Sequence, residues 1–433
     1  MEVGNYCFSL ERYMECVPIY RLEACSEKQG LRKEGEIVNI YAYQTPPKWW
    51  SPKLNILWVK LFKGIRKRVR EKELKVHDVE IQNIEKLNTV IEEGCGVLIT
   101  PNHSSHADPS ILYKVCDEIG FPFYFMAAWQ VFEKSNPFRQ LNFRLHGCFS
   151  VDREGTDMRA FRKAVEVLQD KKNPLVIFPE GEIYHVNDRV TPFRDGPAGI
   201  AITAAKRSDR PIVCLPCGVK YLYVEDPGEE LINIMGQLED HLLWRVRADL
   251  SLEERIYRFA EAILGVKELE YLGRIQTGML SERIRDLSEM ILKQLEEQYS
   301  IDPKEDLKLP ERVKTFRREA IKRLESDDPK SQAEAKDYLD DILVVTQLFS
   351  YPGEYISSKP TIERIAETID KFEEDILKSR SAGIRGERKA IIRFGDPIEV
   401  EPEKRGNKEV VHRLTSKLER NVQELLDEIN CTL

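Results

Sequence analysis

Apolar residues recur along the chain in two rhythms. From residue 54 to 69, Leu54, Leu57, Trp58, Leu61, Phe62, Ile65 and Val69 fall at helical spacing, while Lys60, Lys63, Arg66, Lys67 and Arg70 take other positions. This predicts a basic amphipathic helix. Beyond it, short apolar runs alternate with helical stretches. CGVLIT, PFYFMAA and CFSVD read as strands, with a helix from Pro109 and another over Met158 to Asp170, for which Asp157 is a suitable cap. LVIFPEGE reads as a buried strand ending in a turn, Ala198 to Lys206 as a helix and IVCLPCGV as another strand. The alternation predicts an α/β domain with a mixed sheet.

From about Glu225 to Arg388 the strand signal fades, and long charged stretches such as LSERIRDLSEMILKQLEEQ and TIERIAETIDKFEEDILKSR predict a large helical insertion. The strand pattern returns in KAIIRFGDPIEV, followed by an amphipathic helix around Glu409 to Glu428. The expected organisation is an N-terminal region over 1–75, an α/β core over 76–225, the insertion over 226–388, and a closing strand and helix of the core over 389–433.

Composition changes this picture in three ways. At 42% hydrophobic and 32% charged, the chain can build sizeable cores, so disorder is not the default. Net charge is −8, yet Lys48 to Lys75 holds ten Lys or Arg against Glu71 and Glu73, a local +8 that leaves −16 elsewhere. With Trp49 and Trp50 beside it, the basic helix suits the headgroup layer of a membrane, and equally suits packing on the protein's own core with a solvated basic face. The acidic remainder argues against nucleic acid as a partner. The best membrane-spanning candidate is broken by Lys60 and Lys63, and Glu11, Arg12 and Glu15 interrupt any secretory signal, so neither a span nor export is expected. Nine scattered cysteines fit a reducing cytoplasm, and the close pair Cys214 and Cys217 lacks the second pair of a zinc ribbon, so it reads as core packing.

The chemistry gathers in a few turns. TPNHSSHADPS puts His103 and Asp108 between a strand and a helix. Imidazole suits a general base at neutral pH, and a carboxylate beside it fixes the tautomer and steadies the cation. Asp108 is equally well placed as an N-cap before Pro109, and both roles can hold together. A metal set of His103, His106 and Asp108 is the lesser reading, because it lacks further ligands. Arg153 in GCFSVDR offers paired hydrogen bonds to a phosphate, or a surface ion pair with Asp152 or Glu154. Glu180 and Gly181 in FPEG bring a carboxylate and an open backbone to a strand-end turn, which is also ordinary turn chemistry. Arg194 in TPFRDG reads as a second phosphate ligand or a solvated loop residue, and Pro216 predicts a bulge or strand end. His106, His146 and His185 are left outside the site.

Asparagine, histidine, four residues and aspartate resemble the first motif of the glycerolipid acyltransferases, the H-x-x-x-x-D family. GCFSVDR, FPEG, TPFRDG and the Leu215-Pro216 pair are similar to its later blocks, in the same order. The resemblance implies His103 and Asp108 as the catalytic pair, and Arg153, Glu180, Gly181 and Arg194 in acceptor binding. It implies no cofactor and no metal. The donor is expected to be acyl-CoA or acyl carrier protein, and the acceptor 1-acylglycerol 3-phosphate, with glycerol 3-phosphate or another lysophospholipid as the alternative. Glu182, Ile183 and Tyr184 depart from the Thr or Ser and Arg usual after the FPEG glycine, which bears on acceptor identity. The expected location is the cytoplasmic face of a membrane, held peripherally. A lipid-binding protein on the same fold is the rival from another class, countered by the intact His103 and Asp108. A hydrolase ranks last, with no G-x-S-x-G elbow or H-E-x-x-H helix.

Overall fold

The computed structural model describes residues 47–433 apart from 154, 302–308, 327, 352, 378, 380 and 403–407. The expectations about export and about Cys7, Cys16 and Cys25 lie outside the described residues. Strands β1 (Val76–Gln82), β2 (Gly96–Pro101), β3 (Tyr124–Ala128), β4 (Cys148–Val151), β5 (Leu175–Val176), β6 (Ile212–Tyr223) and β7 (Arg388–Phe394) run in the order β1-β7-β6-β2-β5-β3-β4. A short β8 (Ile398–Glu399) also pairs with β6. β6 is antiparallel to β7 and β8, and the other pairs are parallel. β7 therefore sits between β1 and β6, and the sheet depends on chain from beyond the insertion.

The described residues start, after a stretch without regular structure, with two short helices, α1 (Ile56–Leu61) and α2 (Lys63–Arg68), and a π turn over Val69–Glu73. The single amphipathic helix expected here is broken at Phe62, whose φ of −86° and ψ of 3° leave the helical range. Its polar face is not uniformly solvated either. Arg66 is buried, donating to Val59 O at 2.7 Å and pairing with Asp117, and Arg70 is buried as well. Phe62 and Val69 are buried, while Leu57 and Leu61 remain 79% and 72% exposed. Trp50 stacks on Phe132 and Trp49 meets Phe149 edge-on, so both indoles pack against the protein.

Helices α3 (Ile84–Glu92) and α4 (Asp108–Ile119) cover one face of the sheet through Leu87, Val90, Ile111 and Val115. Next come α5 (Trp129–Glu133) and α6 (Pro137–Leu145). The other face is covered by α7 (Met158–Asp170), α8 (Gly196–Ala205) and α16 (Lys408–Cys431), through Ala164, Leu168, Ile200, Leu418 and Val422. Asp157 caps α7 through the amides of Arg159 and Ala160. Cys214 and Cys217, three residues apart on one strand, point into opposite cores and are fully buried.

LVIFPEGE is a buried strand ending in a turn, as expected, but a short one: after Leu175 and Val176, Ile177 N makes a last hydrogen bond to Ile99 O of β2, and the chain then leaves the sheet through Pro179, which has no amide to donate, and Gly181, with φ +78°. One strand expectation is corrected. Pro216 makes no bulge: its pairing with Thr100 is in regular register with its neighbours. On its far side β6 changes partner there, from β8 at Val213–Cys214 to β7 from Cys217, so the missing amide faces the turn between two strands. Its carbonyl accepts from Gly395 N there.

Between β6 and β7 lie α9 (Gly228–His241), α10 (Leu252–Leu272), α11 (Leu280–Tyr299), α12 (Leu309–Leu324), α13 (Pro329–Phe349), α14 (Tyr355–Ser358) and α15 (Ile362–Ile376). They build two apolar cores of their own. One gathers Leu287, Ile291, Phe316 and Ile342, and the other Leu231, Met235, Phe259, Ile369 and Phe372. No helix among the described residues is long and apolar enough to cross a membrane.

Candidate active site

The turn from β2 into α4 carries the first pair. His103 Nδ1 lies 2.7 Å from Asp108 Oδ2. Because an ionised carboxylate only accepts, Nδ1 carries the proton and the lone pair is left on Nε2. Asp108 is the first residue of α4, not its cap; the cap position falls on Ala107. Its fully buried carboxylate also accepts from Ser105 N at 3.0 Å and from Tyr221 Oη at 2.6 Å. The turn is fastened from below by Asn102, whose buried amide side chain exchanges two hydrogen bonds with the backbone of Val219 on β6.

Around His103 the surroundings favour the neutral ring. Its side chain is 15% exposed and stacks on Phe178, with ring centroids 4.0 Å apart. Burial pushes its pKa below 6.5; the hydrogen bond and charge of Asp108 pull the other way without reversing this.

Glu180, expected in acceptor binding or as an ordinary turn residue, is not solvent-facing. It is 3% exposed, accepts from His103 N at 2.7 Å through Oε1, and meets both the amide and the hydroxyl of Thr191 through Oε2. Burial pushes its carboxyl up to about 8, against the pull of those donors. A neutral Glu180 spares the site a second buried negative charge beside Asp108. Its contacts are those of a group that positions the His103 backbone.

The next two residues build a cationic cluster. Arg153, following β4, donates through Nη1 to Gly181 O, and Arg194 donates through Nη1 to Arg153 O at 3.3 Å. Gly181 is favoured by its φ of +78°, and a Cβ there would come within 2.5 Å of Arg194 Nε and displace that side chain. Glu182 lies among the arginines, 3.6 Å from Arg194 Nη2 and 3.1 Å from Arg317 Nη1 on α12 of the insertion. Burial would raise Glu182, but Arg317, Arg153 and Arg194 outweigh it and hold it at about 2. Arg153 Nε is buried, with no hydrogen-bond partner among the described residues.

The six residues singled out in the sequence thus form one continuous chain of contacts. His103 touches Asp108 and Glu180, Glu180 leads into Gly181, and Gly181 touches both arginines. Tyr221, Thr191 and Arg317 escaped the sequence reading, which named Asn102 and Glu182 without these contacts. Asn102 adjoins the motif, whereas Tyr221 and Arg317 reach the site only through folding. A cleft of about 50 Å³ borders the turn between β2 and α4 at Ser104, His106 and Tyr221. A larger one, about 660 Å³, lies on the insertion around Trp244 and Arg247 and contains none of these residues.

The mixed sheet thus carries a histidine–aspartate pair at a strand end, beside a cluster of arginines. Residues 78–220, from β1 to β6, match the family model Acyltransferase. The α/β core is an acyltransferase domain, and the protein is an O-acyltransferase acting on a glycerolipid. No curated protein matches the chain.

Proposed function

We propose that the protein transfers a fatty acyl group from acyl-CoA or acyl carrier protein to the free hydroxyl of 1-acylglycerol 3-phosphate. One observation carries the reading: His103 Nδ1 is held 2.7 Å from Asp108 on a ring that burial keeps neutral. The acceptor hydroxyl gives its proton to His103 Nε2 as its oxygen bonds to the thioester carbonyl carbon. The tetrahedral oxyanion then collapses, the carbon–sulfur bond breaks, and the imidazolium returns the proton to the leaving thiolate. Asp108 steadies the transient cation, and Tyr221 holds Asp108 in place. Arg153 and Arg194 receive the acceptor phosphate by charge-assisted hydrogen bonds, and the backbone of Gly181 shapes that corner.

The reaction takes place at the cytoplasmic face of a membrane, with the protein held peripherally. Ile56, Leu57 and Leu61 on α1 are exposed beside Lys60 and Lys63, a combination that suits an anionic lipid surface.

The test supplies oleoyl-CoA or an acyl carrier protein donor to the purified protein with liposomes and one of three acceptors: 1-acylglycerol 3-phosphate, glycerol 3-phosphate or water alone. Diacylated phosphate product formed in step with free thiol is expected with the first. Product from glycerol 3-phosphate alone would reassign the acceptor, and thiol without acylated product would make the protein a thioesterase.

A further inference from the structure

We propose that His106, His185 and Glu374 form a site for a divalent transition-metal ion of the zinc class, joining the helical insertion to two loops of the active site. The three residues come from separate places. His106 lies on the catalytic turn between His103 and Asp108, His185 on the loop after FPEG, and Glu374 on α15. Their ligand atoms all lie within 4.8 Å of one another. His185 Nε2 is 3.1 Å from Glu374 Oε2, and His106 Nε2 is 3.6 Å from Glu374 Oε1. Ligands about 2.0–2.2 Å from a tetrahedral zinc ion stand roughly 3.3 Å apart, so an ion fits among these atoms with small adjustments.

Three further observations distinguish the cluster from an ordinary surface ion pair. His185 is 8% exposed, and its buried Nε2 lacks the alignment of a hydrogen bond. Its backbone is left-handed, with φ +53°, a conformation that few residues with a side chain adopt. Glu374 Oε1 accepts from Ala382 N at 3.0 Å, the kind of outer partner that orients a ligating carboxylate. The imidazole rings meet at 64°, not face to face, with centroids 6.0 Å apart.

Two imidazoles and one carboxylate suit zinc over magnesium or calcium, which prefer oxygen. A fourth ligand position falls to water from the adjoining cleft, and His106, 41% exposed, leaves a route for the ion from solvent. His103 and Asp108 are occupied with each other, which removes them from any metal set and leaves His106 to other partners. The site is separate from the proton-transfer pair and stands whether or not the acyl acceptor is correctly assigned.

The full chain, stripped with chelator, is titrated with zinc by calorimetry, and bound metal is counted by elemental analysis after dialysis. One equivalent per chain is expected, with a rise in melting temperature on zinc addition. His106→Ala, at an exposed position, and Glu374→Gln are each expected to weaken binding at least tenfold, while His103→Ala binds as wild type does. Circular dichroism without metal checks that the variants fold. Zinc binding that is absent, or equally tight in His106→Ala and Glu374→Gln, overturns the proposal.

Discussion

The role proposed for His103, a general base, requires a neutral ring. Burial lowers its pKa from the ordinary 6.5, so the neutral form persists as pH falls past that point. The acid limb of kcat/KM against pH is therefore expected to bend below 6.5, and a bend above it would contradict this environment. Tyr221 makes a finer test. Its hydroxyl donates to Asp108 Oδ1 at 2.6 Å, and hydrogen bonds to charged groups are worth about 1.5–3 kcal/mol. Tyr221→Phe is expected to lower kcat by about tenfold or more with little change in KM and an unchanged circular dichroism spectrum. A rate equal to wild type would show that Asp108 needs no such support. His103 and Asp108 were legible because five residues of local chain decide their meeting. Tyr221 was not, since 113 residues separate it from Asp108. Glu180 was legible as a residue but its burial was not, for nothing in Pro-Glu-Gly tells a buried turn from an exposed one.

At the scale of elements, the insertion is anchored by charge. Asp188, on the loop after FPEG, pairs with Lys220 on β6 and with Arg364 on α15, 2.7 Å away. Tyr355 of α14 donates to Glu367 of α15 at 2.6 Å, and both receive the amide of Asn187. Lys220 is 3% exposed and Asp188 6%, so Asp188→Asn would leave a buried ammonium without its carboxylate. The expected loss is about 3–5 kcal/mol of stability, measured by urea unfolding. A loss under about 1 kcal/mol would mean that water reaches the network. Elements decided by local pattern, such as α7 with its Asp157 cap, were readable to the residue. β5 and the broken helix α1–α2 were not. β5 ends where Pro179 and Gly181 take the chain off the sheet, and Arg66 turns inward because Asp117 on α4 waits for it.

For the whole molecule, the proposed docking on a membrane rests on the exposed face of α1. Leu57 and Leu61 stand 79% and 72% exposed beside lysines, whereas Trp49 and Trp50 are engaged by Phe149 and Phe132. Leu57→Glu with Leu61→Glu is expected to lower co-sedimentation with anionic vesicles about tenfold or more while leaving the fold intact. Sedimentation equal to wild type would move the docking surface elsewhere. The sheet also ties distant segments together: β7, from beyond the insertion, lies between β1 and β6.

The central claim is that His103 takes the proton from the acceptor hydroxyl. It is tested most directly by comparing wild type with His103→Ala in oleoyl-CoA and 1-acylglycerol 3-phosphate, following thiol and diacylated phosphate together. Loss of both products in a folded variant, by about 10²-fold or more, is the result predicted. Acyl transfer by His103→Ala at the wild-type rate would contradict it.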